Sequence, residues 1–174
     1  LNIHNLSDIT AEVKEQIVQD KSLGITGKAL EEMLAGLQAS KPLYEGEVWV
    51  VAEETGEEIT PATFELVGKA RELADSLNTH VGVALAGKKV GHLAQSLIEA
   101  GADKVYCLEH ELLAEFDPAA YRKAIAGVIE KYWPQIVLFA ATPQGRVLAP
   151  MVSYRVGCGL TADCTSLDIR DSSR

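Results

Sequence analysis

Residues 135–167 read QIVLFAATPQGRVLAPMVSYRVGCGLTADCTSL, and this stretch decides how the fold is interpreted. The apolar run Ile136–Ala141 predicts a buried strand, and the turn Thr142–Arg146 follows it directly. An apolar helix comes next, then a turn rich in glycine, and a second short strand is expected from about Thr161. The stretch therefore predicts a strand–turn–helix unit whose turn lies at the end of a buried strand.

The turn combines three favourable residues with one unfavourable residue. The Thr142 hydroxyl can cap the helix, and Pro143 suits the first helical position because an N–H there has no partner. Gly145 lacks a side chain, so another group can approach the backbone closely. Arg146 places a cation against the helix dipole, at a cost of roughly 0.3–1 kcal/mol. Two interpretations stay open: a site for an electron-rich ligand, or an ordinary turn whose Arg146 pairs with a surface carboxylate.

Strand and helix patterns alternate without interruption from residue 47 onward. Such alternation favours an α/β fold with three layers, in which helices cover both faces of a mainly parallel, five-stranded sheet. Strands are predicted at 47–53, 79–86, 104–108, 136–141 and from about 161, and helices at 60–77, 90–100, 117–132 and after 142. The first of these helices is expected to turn inward Phe64, Val67, Ala70, Leu73 and Ala74. The carboxyl ends of such strands gather ligands, and that edge holds Glu53–Glu54, Gly87–Lys89 and Thr142–Arg146.

Residues 1–46 differ from the rest and are interpreted as an N-terminal helical extension or linker. Modest amphipathic patterns predict helices at 10–20 and 26–38, and residues 39–46 contain Pro42 and Gly46. Because the chain starts at Leu1 and stops in a polar stretch, we expect it to be a piece of a longer protein.

Composition excludes several classes of function. Among 174 residues, 47% are hydrophobic and the formal net charge is −9, which disfavours nucleic acid and anionic membrane surfaces as partners. No apolar run approaches the roughly 18 residues of a membrane span, and no signal peptide is recognisable. Cys107, Cys158 and Cys164 lack paired spacing, which predicts reduced thiols in a cytoplasmic protein.

No self-contained catalytic set is recognisable. The sequence lacks GxSxG, GxGxxG, P-loop and HExxH motifs, and its four histidines are scattered, so no metal site is predicted. Glu53–Glu54 could meet a ribose hydroxyl, although a solvated turn is the preferred interpretation. Lys88–Lys89 could attract phosphate or contact only water. Cys164 could touch a ligand, although a small buried hydrophobe is the usual interpretation.

Three segments together carry a family resemblance: VWVVAEETGEEITPATFELVGKARELA (48–74), GADKVY (101–106) and PQIVLFAATPQGRVLAPMVSYRVGCGLTADCTSLDI (134–169). Over about residues 47–170 the chain resembles the N-terminal domain of the electron transfer flavoprotein alpha subunit. The resemblance implies a fold of the adenine-nucleotide alpha-hydrolase-like type and pairing with a beta subunit in a heterodimer. It also implies that the principal FAD belongs to a C-terminal domain absent from this chain. The implied activity is electron transport from NADH or a dehydrogenase, such as an acyl-CoA dehydrogenase, to partner redox enzymes.

The arginine-containing turn and the GLTADCT run look more like the anaerobic, NADH-linked branch of this family. In that branch the beta subunit carries a second FAD where other members hold AMP, which permits electron bifurcation. Arg146 matches the arginine that lies near this shared flavin, where a cation would stabilise anionic reduced forms. The remaining cofactor-binding residues implied by the resemblance are Thr142, Gln144 and Gly145 beside it, and Thr161, Asp163 and Cys164 in the facing segment.

A different class of function also stays open. A stand-alone nucleotide-binding module that senses ATP or AMP would have a similar topology. Against it, the turn after the fourth strand offers only Gly145 and no glycine-rich phosphate loop. A hydrolase or ligase of the same superfamily would need a nucleophile or a pyrophosphate-binding turn, neither of which is recognisable.

Overall fold

Four parallel strands form the centre of the computed structural model, which describes residues 46–169. The strands are β1 (Val48–Ala52), β2 (Val81–Gly87), β3 (Lys104–Glu109) and β4 (Ile136–Leu138), in the order β3-β2-β1-β4. The helices are α1 (Pro61–Leu77), α2 (Ala94–Glu99), α3 (Pro118–Tyr132) and α4 (Pro143–Val156). Short 3-10 turns at Gly91–Leu93 and Glu111–Leu113 follow β2 and β3.

Helices cover both faces of the sheet and make two separate apolar cores. On one face, Val50 and Val83 share a cluster with Val67 of α1 and Leu97 of α2. On the other face, the cluster contains Trp49 of β1, Tyr121 and Ile125 of α3, and Leu148 and Val152 of α4. Every residue of β1 and β2 is buried, because a central parallel strand has no solvent face. The prediction of a three-layer α/β fold is confirmed.

The fifth predicted strand is wrong, since the described residues form a sheet of four strands. The segment from Thr161 to Ile169 contains no strand; its side chains are mostly exposed, and Asp163 has a φ of +53°. Leu167 and Ile169 instead pack against the core that contains α1. An apolar run long enough to be covered on both faces is missing here, so nothing holds the segment in the sheet.

Several predicted boundaries also need correction. β4 ends at Leu138, three residues before the expected Ala141, because the chain there already bends into the turn before α4. The helix expected from residue 90 begins as a 3-10 turn. Phe64 is exposed, and Thr63 is the buried residue of that first turn. Predictions for residues 1–45 lie outside the described residues.

The strand order locates the edge at which a ligand is expected. β1 pairs with β2 on one side and with β4 on the other. The chain therefore adds β2 and β3 on one side of β1 and then crosses over to add β4 on the other side. In open parallel sheets ligands bind beyond the carboxyl ends of two such strands. The strand order therefore predicts a ligand crevice between Ala52 of β1 and Leu138 of β4.

Candidate functional site

The turn before α4 has the local structure predicted from its sequence. Thr142 is the N-cap with extended backbone (φ −76°, ψ 167°), and its hydroxyl accepts a 3.0 Å hydrogen bond from the Gly145 N–H. Pro143 occupies the start of the helix, where no N–H partner is needed. The Arg146 N–H donates to the Thr142 carbonyl over 2.9 Å. These contacts fix the direction of the first helical turn.

The absence of a side chain at Gly145 serves the packing of the chain itself. A Cβ atom placed there would lie 1.9 Å from the carbonyl oxygen of Ala140 and 3.2 Å from Oε1 of Glu53. Real atoms never approach a backbone oxygen so closely, so the segment after β4 can lie against α4 only because residue 145 is glycine. The group that approaches this glycine is therefore another part of the same protein.

Glu53 fills the crevice between the ends of β1 and β4. The residue is only 8% exposed, and its Oε1 accepts a 2.6 Å hydrogen bond from the Thr142 hydroxyl. That hydroxyl also accepts from Gly145, so it connects a buried carboxylate to the positive end of the α4 dipole. The preferred interpretation of Glu53 as a solvated turn residue is wrong. The sequence did contain a signal for this contact: Glu53 directly follows an apolar strand, and the threonine-capped turn follows another strand that ends at the same edge of the sheet.

Arg146 lies on the outside of this edge, with its guanidinium held by two contacts. Its Nε donates to the Ala141 carbonyl over 3.2 Å, and its Nη2 lies 2.7 Å from Oδ1 of Asp163. The Arg146 side chain remains 59% exposed. The alternative of pairing with a surface carboxylate is therefore realised in this chain, and the pair lies beside the mouth of the crevice. A surface ion pair of this kind is worth about 0–1 kcal/mol, so another anion can displace Asp163.

The other expected site residues do not all lie together. Thr161, Asp163 and Cys164 are exposed in the segment after α4, where the Cys164 thiol lies 3.6 Å from the Thr161 carbonyl oxygen. Asp163 alone contacts Arg146 through an ion pair, and Cys164 lines a shallow hollow that also includes Lys69. The expectation that Cys164 is a small buried hydrophobe is wrong.

Gln144 lines a separate cavity of about 250 Å³, and Arg146 is not among the residues of that lining. This cavity lies beyond the ends of β1 and β2, and Glu54, Phe116 and Tyr121 also line it. None of its lining residues is a lysine, arginine or histidine. Burial, and then the negative charge of Glu54, raises the pKa of Tyr121, whose hydroxyl donates to backbone carbonyls. The cavity therefore offers hydrogen bonds and a carboxylate, and no cation for a phosphate.

Carboxylates of the chain support three helix N-termini at the carboxyl edge, two by direct hydrogen bonds from N–H groups and one through the Thr142 hydroxyl. Glu53 serves α4 through Thr142, and Asp117 accepts a 2.7 Å bond from the Ala120 N–H at the start of α3. The backbone N–H groups of Val90 and Gly91, ahead of α2, both donate to Oε1 of Glu109 over 2.8 Å. Such N–H groups are the usual ligands of phosphate. The chain's own carboxylates occupy them at α2 and α3, and the Thr142 hydroxyl does so at α4.

Lys88, a predicted candidate for phosphate binding, pairs with a carboxylate of the chain. Its Nζ lies 2.6 Å from Oε2 of Glu111 in an exposed ion pair. Among the described residues no group of three or more histidine, cysteine, aspartate or glutamate side chains could hold a metal ion. All three cysteines are free and exposed, which agrees with the predicted thiols.

These features define an open parallel α/β domain that fills its own ligand crevice and displays an oriented guanidinium at the same edge. Comparison with known families then gives the affiliation. The model of the electron transfer flavoprotein domain matches residues 48–173, so the chain belongs to that family. The resemblance noted from the sequence is confirmed.

Curated relatives support the same assignment. The electron transfer flavoprotein alpha subunit of Thermoanaerobacterium thermosaccharolyticum is 40% identical over 126 residues, which are 72% of this chain and 38% of that protein. The alpha subunit of Clostridium acetobutylicum is 39% identical over 78% of this chain and 40% of its own length. The lactate dehydrogenase (NAD(+),ferredoxin) subunit LctC of Acetobacterium woodii is 39% identical, covering 76% of this chain and 32% of that subunit. This chain thus spans at most about two-fifths of the length of these relatives.

A solved universal stress protein in complex with cAMP is a more distant match. It has a TM-score of 0.43 and 15% identity, with coverage of 66% of this chain and 94% of that one. At this distance the likeness does not bear on function. Of the helices in the described residues, none has the length and apolar character needed to cross a membrane.

Proposed function

We propose that this chain is the alpha-subunit domain of a heterodimeric electron carrier and supplies one wall of a flavin site at the interface with the beta subunit. The observation that carries the proposal is the exposed, oriented guanidinium of Arg146 beside a crevice that Glu53 fills from within. The isoalloxazine ring accepts and releases the electrons when FAD is bound. The domain contributes charge and shape to a cofactor that the partner holds.

The residues at this edge fit a flavin supplied from outside better than a nucleotide held within the domain. A phosphate in the crevice would meet the buried Glu53 carboxylate, and the Gly145 N–H at the start of α4 already donates to the Thr142 hydroxyl. Arg146, by contrast, projects outward with a weakly held counterion. An anionic ring edge can replace Asp163 at the guanidinium while Ala141 keeps the side chain in place.

The proposed carrier takes electrons from NADH or a dehydrogenase, such as an acyl-CoA dehydrogenase, and passes them to partner redox enzymes. Support comes from the names of relatives, which include alpha subunits and a lactate dehydrogenase subunit linked to NAD(+) and ferredoxin. We extend the proposal to the NADH-linked branch, in which a second FAD in the beta subunit replaces AMP and electron bifurcation occurs. The principal FAD is assigned to the part of the relatives' length that this chain does not span.

The test of this role is the two-electron midpoint potential of the interface flavin in the complex assembled with the beta subunit. Loss of the Arg146 cation in Arg146→Ala should destabilise the anionic reduced flavin and lower the potential by about 30 mV, the equivalent of about 1.4 kcal/mol. Arg146→Lys should shift the midpoint potential much less than Arg146→Ala does, because the positive charge remains. Lys131→Ala removes an equal charge at the opposite end of the sheet and serves as the control.

Two further measurements separate this function from its alternatives. An unchanged potential in Arg146→Ala, with the complex intact, would contradict the role of the guanidinium. Flavin counting decides the branch, because two FAD molecules per heterodimer support bifurcation, whereas one FAD with AMP indicates a simple carrier. Calorimetry of this chain alone with ATP and AMP tests the nucleotide-sensing module, and micromolar binding without a partner would favour that module.

A further inference from the structure

The solvent side of α4 carries an apolar stripe formed by Pro143, Val147, Pro150 and Tyr154. Their spacing of four, three and four residues aligns them along one side of the helix. All four are exposed: Val147 is 44% exposed and Tyr154 is 90% exposed. Leu160, just beyond the helix, is also exposed and extends the apolar surface.

The stripe makes α4 unlike the other long helices of the domain. Its opposite side is buried through Gly145, Leu148, Ala149 and Val152, so the helix is apolar both inward and outward. A surface helix normally presents charged side chains to water, so an apolar stripe on its outer side indicates that this side is covered in the assembly. α1 and α3 follow the normal rule, with ion-paired charges such as Lys69–Glu72 and the cation Lys131 on their outer sides.

The chain segment that follows α4 returns to Arg146 through Asp163 and leaves the Tyr154 end of the stripe open. After Gly157 the backbone leaves the helix, and Leu167 and Ile169 pack against the core on the other face of the sheet, which contains α1. Leu148 and Val152 of α4 belong to the core beneath α3 and α4. Tyr154 therefore faces solvent on a side that the rest of the described chain leaves open.

The charges beside the stripe indicate what kind of surface fits it. α4 contains two arginines, Arg146 and Arg155, and no carboxylate, although the whole chain carries a net charge of −9. Each arginine pairs only with an exposed carboxylate from elsewhere, Asp163 and Glu130 respectively. A second copy of this helix would bring cations against cations. The complementary surface is apolar at its centre and carries carboxylates at its border.

We propose that the stripe is the surface on which the flavin-carrying partner subunit docks, which rests on the function proposed above. Pro143 and Arg146 lie in the same helical turn, so a subunit that brings its flavin to Arg146 also covers the start of the stripe. Contact then continues along Val147 and Pro150 to Tyr154. Tyrosine in an exposed apolar surface is a frequent centre of binding energy, because it buries a large area with few rotatable bonds.

The experiment measures the affinity of this chain for the purified, FAD-loaded beta subunit by sedimentation equilibrium and titration calorimetry. Val147→Glu and Tyr154→Glu each put a charge in the centre of the interface and should raise the Kd at least about tenfold. Leu112→Glu, at a 69% exposed apolar residue in the 3-10 turn after β3, is the matched control and should change the Kd less than about twofold. Circular dichroism and thermal unfolding verify that each variant folds like the wild type.

The outcomes separate this inference from the proposed function. Tenfold weakening in both stripe variants, with an unchanged control, supports the docking surface. Wild-type affinity in both variants overturns it while leaving the proposed function standing. If the wild-type chain binds no beta subunit at all, the proposed function itself fails. Self-association of the wild-type chain that Tyr154→Glu abolishes assigns the stripe to a second copy, which also overturns the proposal.

Discussion

The Thr142 hydroxyl is the group on which the closed crevice depends, and Thr142→Val tests it. Valine keeps the shape and removes two hydrogen bonds, one to the Gly145 N–H and one to Glu53. Loss of an N-cap costs about 1 kcal/mol. Loss of a hydrogen bond to a buried carboxylate costs about 1.5–3 kcal/mol, because the charge stays without a donor. We therefore expect Thr142→Val to lower the free energy of unfolding by roughly 3 kcal/mol.

The measurement is urea unfolding at pH 7, supported by a fall in Tm of roughly 6–12 °C. Thr142→Ser is the matched control; it keeps the hydroxyl, loses one half-buried methyl group, and should cost at most about 0.8 kcal/mol. Glu53→Met combined with Thr142→Val should recover about 1–2 kcal/mol, since no unpaired charge remains buried. Equal stability of the valine and serine variants would refute the reasoning, because both hydrogen bonds would then contribute nothing.

Three further variants test the stability of the folded chain. Gly145→Ala should destabilise the chain by about 3 kcal/mol or more, since its Cβ would lie 1.9 Å from the Ala140 carbonyl oxygen. Gly68→Ala, at an exposed helical glycine with nothing within 4 Å, should instead stabilise by about 0.5–1 kcal/mol; chemical unfolding distinguishes the two signs. Burial alone would raise the pKa of Asp103, but hydrogen bonds from the Val81 N–H and from Arg71, with nearby positive charge, hold that pKa below its ordinary value near 3.8. This stability is present above about pH 4 and is lost as the pH falls through the lowered pKa, so Asp103→Asn should lose more stability at pH 7 than at pH 3, and equal losses would contradict the linkage.

The parts of the fold that depend on local chemistry were predictable from the sequence. Asp117–Pro118 and Thr142–Pro143 combine a capping side chain with a proline suited to the first helical position, and α3 and α4 begin there. The apolar runs around Val50 and Val83 gave the two central strands, because a strand covered on both faces must be apolar throughout.

Tertiary contacts decided the features that the sequence did not predict. The residues at both ends of the GLTADCT segment suit a β-strand, but no strand of the described sheet pairs with this segment. Thr63 is buried in place of Phe64 because its hydroxyl bonds both the N–H and the carbonyl of Glu53 across the turn. The burial of Glu53 itself depends on Thr142, which lies 89 positions away along the chain. Periodicity reports which side of an element is apolar, and it does not report such polar contacts between elements.

The same contacts that close the crevice also set the direction of Arg146. Gly145 brings the first turn of α4 against Ala140, and the neighbouring Ala141 carbonyl then accepts from the guanidinium Nε. An arginine side chain that is free in solution carries about 2 kcal/mol of rotamer entropy, and a fixed one loses less of it on binding. In the flavin site proposed above, a buried carboxylate that supports the turn from behind therefore contributes to the affinity for the ring without touching it. Weakening the bond between Glu53 and Thr142 should consequently leave the Arg146 side chain less firmly oriented toward the proposed flavin site.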